Sequence, residues 1–447
     1  MKILFIEPTR YLNNGKLLKL KILSIPSLTL PLLAALTPDE VDVEIAIELA
    51  EDINFDCKVD LVGITSYTTN VYRAYEIADE FRRRKVPVIM GGMHVSMEPE
   101  EALEHADSVI IGEAEETWPQ FINDFRNGRQ KKVYEAKERP SLISLPVPRF
   151  SLLYKYRYLS FKKAGVLSFL LRSVIPIETA RGCPHSCDFC CATKYFGSKY
   201  RPRPIADVVN EIKTLGAPNC YFVDDNIFAN PPRAKELFKA LIPLKIHWLG
   251  QATINVAEDK ELLKLARMSG CSALCIGLES LSRQSLESVG KKTNKVEYYE
   301  RHLKTIRREG ISIAVGMMFG FDDEEPGVFK ESYEFLVKNR IPVASWWPII
   351  PYPGTPLYQR LKDQGRLNDD RWWLNSYSTA YSLRFKGTKM EDKLFVKNFH
   401  HYYRHFYSLK SIMRRILFPP QRRCFSLILF NLGSRIRITP HANILEH

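Results

Sequence analysis

No uninterrupted apolar run in this chain is long enough to cross a bilayer. The most promising stretch, Leu23 to Leu36, is broken by Pro26 and Pro31, and a spanning helix needs about 20 apolar residues. The opening Met1–Glu7 is too short for the apolar core of a secretory leader and reads as a first buried strand. A Gly-x-Gly-x-x-Gly phosphate loop is missing after that strand, which argues against a dinucleotide. The nine cysteines lack the regular spacing of a disulfide framework, which points to free thiols in a reducing, cytoplasmic compartment. The formal charge of +13 fits nucleic acid, an acidic membrane surface or an anionic cofactor. No RNA-binding module is recognisable, so nucleic acid is not expected as a partner.

What is present is a 447-residue chain, 45% hydrophobic and 26% charged, with room for two or three cores. Over roughly the first 130 residues, short apolar runs alternate with helical segments, the pattern of a doubly wound parallel sheet. Strands are expected at 2–6, 41–47, 61–65, 88–90 and 108–111, with an amphipathic helix over 70–84. Ligands on such sheets bind beyond the carboxyl ends of the strands. The candidate binding residues there are Ser66, Tyr67 and Thr68, then Gly91, Gly92 and His94, then Gly112 and Glu113.

Further on, Ala180-Arg181-Gly182-Cys183-Pro184-His185-Ser186-Cys187-Asp188-Phe189-Cys190 sets three thiols in one loop at Cys-x3-Cys-x2-Cys spacing. Three thiolates on a four-iron cubane leave one iron open to an outside ligand. A structural zinc site would want a second Cys or His pair at a definite distance. Cys191 follows too closely to join the same chelate and reads as a packing residue. Cys57, Cys220, Cys271, Cys275 and Cys424 have the apolar neighbours of core thiols.

With Phe189 just before its last cysteine, this loop resembles the signature of the radical S-adenosylmethionine (SAM) enzymes. The chain as a whole resembles the subgroup in which a cobalamin-binding domain precedes the barrel, and more loosely its hopanoid- and lipid-modifying members. The resemblance implies an α/β architecture: a Rossmann-like cobalamin-binding domain over 1–135, a linker over 136–172, a partial (β/α)6 TIM barrel over 173–350 and a helical carboxyl-terminal extension over 351–447. It implies three cofactors: a [4Fe-4S] cluster on Cys183, Cys187 and Cys190, SAM chelated to the open iron, and cobalamin. Cobalamin contacts are carried over to Ser66, Tyr67, Thr68, Gly91, Gly92, His94, Gly112 and Glu113. The D-x-H-x-x-G motif that gives cobalt a histidine ligand elsewhere is absent, so Ser66, Tyr67 and Thr68 are expected near the lower face of cobalt. SAM contacts are carried over to Phe189, Asp225, Gln251, Glu279, Ser280, Gly316 and Met317. Each of these residues also admits a capping or turn role, and His94 a role in fixing its loop.

Barrel strands are expected at 174–179, 220–223, 246–251, 273–277, 312–319 and 343–350, with helices between them. Leu145-Pro146-Val147-Pro148-Arg149-Phe150 marks the break before the barrel, where Tyr154, Tyr156 and Tyr158 either pack as linker aromatics or line the mouth. Past the barrel come Trp372, Trp373 and a helix-like aromatic run over 398–407. Lys410, Arg414, Arg415, Arg422, Arg423, Arg435 and Arg437 then alternate with apolar residues. That mixture suits either the surface of an anionic membrane, peripherally bound, or a helical cap over the barrel mouth.

The resemblance implies a cobalamin-dependent radical SAM C-methyltransferase. The 5'-deoxyadenosyl radical abstracts hydrogen from an unactivated carbon, and methylcobalamin then supplies the methyl group. A small apolar substrate is expected, a lipid or isoprenoid first and a tetrapyrrole second, with an electron donor of the flavodoxin or ferredoxin type. The alternatives are cyclisation or rearrangement without net methylation, and a non-catalytic cobalamin sensor. A tRNA methylthiotransferase is disfavoured: such enzymes hold a second cluster in the amino-terminal domain, where only Cys57 is available.

Overall fold

The structure is a computed structural model that describes residues 1–12, 14–20, 25–156, 174–375, 381–417 and 427–435. Tyr158, Arg422, Arg423, Cys424 and Arg437 lie outside the described residues.

The first sheet is wholly parallel. Its strands are β1 (Lys2–Glu7), β2 (Asp42–Ile47), β3 (Leu61–Thr65), β4 (Val88–Gly91), β5 (Ser108–Ile111) and β6 (Val133–Glu135), in the order β2-β1-β3-β4-β5-β6. Apolar runs such as Ile3–Ile6 are buried on both faces because helices cover both. One of those is Val71–Arg83, which presses Val71, Ala74, Ile77, Ala78 and Phe81 into the core. The chain order reverses between β1 and β3, and the loops after these two strands open the crevice where such sheets take ligands. β6 was not expected from the sequence. It is three residues in a charged stretch, held by backbone pairing to β5 and by the buried Tyr134 against Phe121, ring centroids 5.3 Å apart.

The second sheet contains β7 (Val174–Ile177), β10 (Asn219–Phe222), β11 (His247–Ala252), β12 (Cys271–Glu279), β13 (Ser312–Phe319) and β14 (Val343–Pro348), parallel and in sequence order from one edge to the other. A two-stranded ribbon of β8 (Ala180–Arg181) and β9 (Arg201–Pro202) flanks it. Helices connect successive strands of the large sheet, which makes the expected open (β/α)6 barrel. Asn230, Asp259 and Ser282 start three of these helices by accepting the backbone N–H of Arg233, Leu262 and Ser285. Along β13, Ile313, Val315, Met317 and Phe319 are buried toward the helices, and Ala314, Gly316 and Met318 face the concave side.

The carboxyl-terminal helix Asp392–Phe406 buries Phe395, Phe399 and Phe406. Phe395 packs on Phe329, and Phe399 on Trp346 and Phe319. It begins beside Gly320, past the carboxyl end of β13, and ends beside Ala344 at the start of β14. It therefore runs down the barrel edge rather than over the mouth. The Tyr407 hydroxyl donates to Ala344 O at 2.8 Å and accepts from Ala344 N at 3.4 Å, closing part of the free edge of β14. Arg415, expected on a solvated or membrane-facing basic surface, is fully buried. It donates to the carbonyls of Ile341, Pro342 and Phe406 and to Asn431 Oδ1. Tyr156 is likewise not at the mouth: its hydroxyl bonds Ile45 O and Ile47 N of β2.

Candidate active site

The carboxyl ends of both sheets border one cavity of about 500 Å³. From the first sheet it is lined by Glu7, Tyr67, Gly91, Gly92, Gly112, Glu113 and Glu115, and from the barrel by Glu178, Arg181, Tyr221 and Asp225. Of the residues expected to hold cobalamin, Tyr67, Gly91, Gly92, Gly112 and Glu113 reach this space. Ser66, Thr68 and His94 do not line it. His94 is fully buried, with Nδ1 3.1 Å from Thr68 Oγ1 and Nε2 3.2 Å from Glu101 Oε1. Glu101 also accepts from Tyr75 and Trp373. Burial pushes the imidazole below its ordinary pKa, with Glu101 opposing. His94 thus ties the first sheet to the carboxyl-terminal region.

The cavity fits the corrin ring. Gly112 has φ +79°, and a Cβ there would enter open space. At Gly92 (φ +103°) a Cβ would stand 2.7 Å from Ser66 O, so only glycine permits this close turn. Glu7 Oε2 and Glu115 Oε2 are buried on the cavity wall with no hydrogen-bond partner among the described residues. Acceptors so placed suit the amide N–H donors around a corrin.

Glu113 and Glu115 have a second task. Arg181, two residues before the first cluster cysteine, reaches Glu113 at 2.6 Å, Glu115 at 2.5 Å and Glu178 at 2.9 Å. Arg201 and Arg139 also pair with Glu113. Tyr195, just past the cluster loop, donates to Gly112 O at 2.7 Å. The loop that carries the cysteines is thereby fastened to the loop after β5.

The cysteine loop follows β7 and β8. Gly182 has φ +85°, and a Cβ there would meet Lys199 O at 2.3 Å. Asp188 N donates to Val289 O, Leu357 N donates to Asp188 O, and Arg360 pairs with the Asp188 carboxylate, so helix Pro356–Asp363 holds the loop from outside. Among the described residues no three His, Cys, Asp or Glu side chains close around a single ion. A cubane asks something different, since its thiolates bind separate irons. Burial pushes the Cys187 thiol up to about 11, with the nearby Lys291 opposing. Thr193 Oγ1 lies 3.5 Å from Cys190 Sγ, a hydrogen bond of the kind that tunes cluster sulfur. Three thiols, one ammonium group and one hydroxyl form a donor set that fits a [4Fe-4S] cluster.

The concave face of the barrel meets the expected SAM contacts in part. Asp225 lines the cavity, and burial pushes its carboxyl up to about 6. Gln251, Glu279 and Gly316 point to the same concave face. Glu279 sits at a bulge with φ +63° and folds back over Gly277, where a Cβ would stand 2.1 Å from its Oε1. Lys291 Nζ holds that oxygen at 3.0 Å and lies 5.9 Å from the centre of the Phe189 ring. Two expectations are corrected. Met317 points outward and is fully buried in the core, so Met318 is the methionine on the concave side. Ser280 is buried and donates to Glu324 Oε1 at 3.1 Å, bracing the loops rather than facing a ligand.

Arg181, Glu7 and Lys291 were not singled out from the sequence as ligand contacts. Only Arg181 carried a signal, its place inside the cysteine motif.

Comparison with known proteins agrees with this geometry. The Radical SAM superfamily matches residues 177–336 and the B12 binding domain matches 32–122. Bacteriochlorophyllide d C-8(2)-methyltransferase of Chlorobaculum tepidum is 31% identical over 427 residues, 93% of this chain and 91% of the relative. The chain belongs to the cobalamin-dependent radical SAM enzymes. Its cofactors are therefore a [4Fe-4S] cluster, SAM and cobalamin, and it is an enzyme of a family whose similar members include methyltransferases. Hopanoid C-2 methylase of Rhodopseudomonas palustris is 25% identical over 365 residues, 77% of this chain and 66% of the relative. Among solved structures, the radical SAM methyltransferase TsrM of Kitasatospora setae shares the fold, with a TM-score of 0.63 at 19% identity over 81% of this chain and 75% of that one. No helix among the described residues is long and apolar enough to cross a membrane.

Proposed function

We propose that the protein transfers a methyl group to an unactivated carbon of a tetrapyrrole. The observation that carries this reading is the shared cavity, in which the carboxyl ends of the cobalamin-domain strands face Asp225 and the residues that flank the cysteine loop, Arg181 and Tyr195, across one space. When bound, the cofactors supply a 5'-deoxyadenosyl radical from SAM and the cluster, and a methyl group from cobalamin. The chain's own residues hold the parts in register: Cys183, Cys187 and Cys190 ligate, Asp225 and Glu279 orient SAM, Tyr67, Gly91, Gly92, Gly112 and Glu113 border the corrin, and the walls exclude water.

The tetrapyrrole is favoured over a lipid by the relatives. Two bacteriochlorophyllide d methyltransferases match at 31% and 32% identity, against 25% for the hopanoid methylase. This reverses the order expected from the sequence. Magnesium-protoporphyrin IX monomethyl ester cyclases match at 28% and 26% identity, which keeps cyclisation as the second reading and leaves the substrate class unchanged. Anaerobic turnover of bacteriochlorophyllide d with methyl-deuterated SAM and a flavodoxin-type reductant separates the two. Methylation yields a product carrying the labelled methyl; cyclisation yields an unlabelled one.

Peripheral membrane contact belongs to the proposal with a defined face. Helix Leu409–Ile416 exposes Leu409, Lys410, Met413 and Arg414 on one side and buries Ile412, Arg415 and Ile416 on the other. This face lies near the start of β14, away from the mouth. Flotation with anionic liposomes tests it, and loss of binding in a Leu409→Ser/Met413→Ser variant is expected.

A further inference from the structure

Five of the six tryptophans lie in the core, each 5% exposed or less. Trp347 is 55% exposed, and among the described residues it has neither a hydrogen bond nor a ring contact. Its direction follows from the pleat of β14, in which successive side chains point to opposite faces. Ala344, Trp346 and Pro348 are buried toward the helices, and the Trp346 ring stacks on Phe319 with centres 4.7 Å apart. Ser345 and Trp347, both exposed, are therefore turned to the concave side of the barrel. β14 is the edge strand of the sheet, and Trp347 is its last residue but one. The indole thus stands near the mouth, at the open side of the barrel.

Its neighbours on that face are the residues expected around SAM. Trp347 pairs in register with Met318, and Ser345 with Gly316. Gly316 pairs in turn with Gly277, over which Glu279 folds, and a Cβ on Gly316 would lie 3.9 Å from Glu279 Oε2. Two strand spacings, about 10 Å, separate Trp347 from Glu279 across the sheet. A bare indole forfeits the burial of roughly 150–250 Å² of surface, and tryptophan is ordinarily among the most buried residues. On the wall of a ligand site that surface is free for the ligand. The indole is flat and favours offset stacking on another π-system, and Met318 beside it carries a thioether that adapts to an aromatic ring.

We propose that Trp347, with Met318, is the platform on which the flat face of the substrate macrocycle packs. The inference rests on the tetrapyrrole reading and adds to it the wall of the barrel that receives the ring. A ring seated there lies beside Glu279 and Gly316, so the platform is a positioning device: it sets the plane in which the substrate is offered to the radical formed at the SAM site.

The test uses the full chain loaded with cluster and cobalamin, and the probe chlorin e6, whose binding is followed by the anisotropy of its red fluorescence. Trp347→Ala is expected to bind chlorin e6 about tenfold more weakly than the wild type, the effect of one lost stacking contact. Trp347→Phe keeps most of the affinity, and in both variants SAM affinity and the cofactor absorption spectra stay unchanged. Undiminished chlorin binding by Trp347→Ala overturns the platform while the tetrapyrrole reading stands. A loss of SAM affinity with chlorin binding intact assigns the indole to the adenine and overturns it as well. Hydroxyl-radical footprinting of the wild type needs no variant: chlorin e6 is expected to shield Trp347 from oxidation, and unchanged labelling of Trp347 at saturating probe overturns the site. Failure of the wild type to bind chlorin e6 removes the tetrapyrrole reading, and the platform with it.

Discussion

Arg181 Nη1 lies 2.6 Å from Glu113 Oε2, a buried ion pair that joins the residue two before Cys183 to the loop after β5 of the other sheet. Burial works against the guanidinium charge, and Glu178 and Glu115 overcome it, so Arg181 stays charged far above neutral pH. The pair sets how the cobalamin side of the cavity meets the cluster side.

Breaking it leaves three buried carboxylates without their shared cation. Arg181→Met is expected to destabilise the chain by about 3–5 kcal/mol, measured by urea unfolding of the apoprotein. In the protein that remains folded, cobalamin is retained less well through gel filtration.

The cluster ligands separate cleanly from their neighbour. Cys183→Ala, Cys187→Ala and Cys190→Ala each lose the iron–sulfur absorption band and bring SAM cleavage to background. Cys191→Ala, which removes a half-buried thiol at the start of helix Cys191–Phe196, keeps the band. Reconstitution with iron and sulfide, read by visible spectroscopy, distinguishes these outcomes.

Gly277 exists to make room for Glu279. A methyl group there would meet Glu279 Oε1 at 2.1 Å and push the carboxylate off its seat beside Lys291. Gly277→Ala is expected to weaken SAM binding about tenfold, as loss of a charged hydrogen bond would, and Glu279→Gln should do the same. Calorimetric titration of the reconstituted protein measures both.

Stability carries a pH signature from Glu324, which accepts from Gly320 N and Phe321 N. Burial pushes its carboxyl up to about 7 from an ordinary 4.5. Between those two values the folded chain holds a proton that the unfolded chain has released, so stability falls as pH rises through this window and levels off above it. The loss is on the order of 3 kcal/mol. Thermal melts from pH 5 to pH 8 should show Glu324→Gln gaining on the wild type as pH rises; parallel curves would contradict the assignment.

Both sheets were legible because their strands are apolar runs of ordinary length: β3, β5 and β13 fall on the residues expected. β6 was hidden because its strand character comes from pairing with β5, not from its own charged sequence. At the site, glycines and cysteines were readable since their chemistry is local. His94 misled because a histidine in a loop after a strand looks the same whether it faces a cavity or Glu101, 3.2 Å away in the core. Met317 and Met318 exchanged roles because the pleat decides which of two neighbours faces inward. Lys291 was invisible because its importance depends on a contact with Glu279 across 12 residues of chain.

The central claim is that cobalamin and the cluster act on one substrate in one cavity. It is tested most directly by counting products from SAM during anaerobic turnover of bacteriochlorophyllide d. The account predicts 5'-deoxyadenosine and S-adenosylhomocysteine in equal amounts, each matched by methylated product. Deoxyadenosine formed with substrate conversion but without S-adenosylhomocysteine would contradict it.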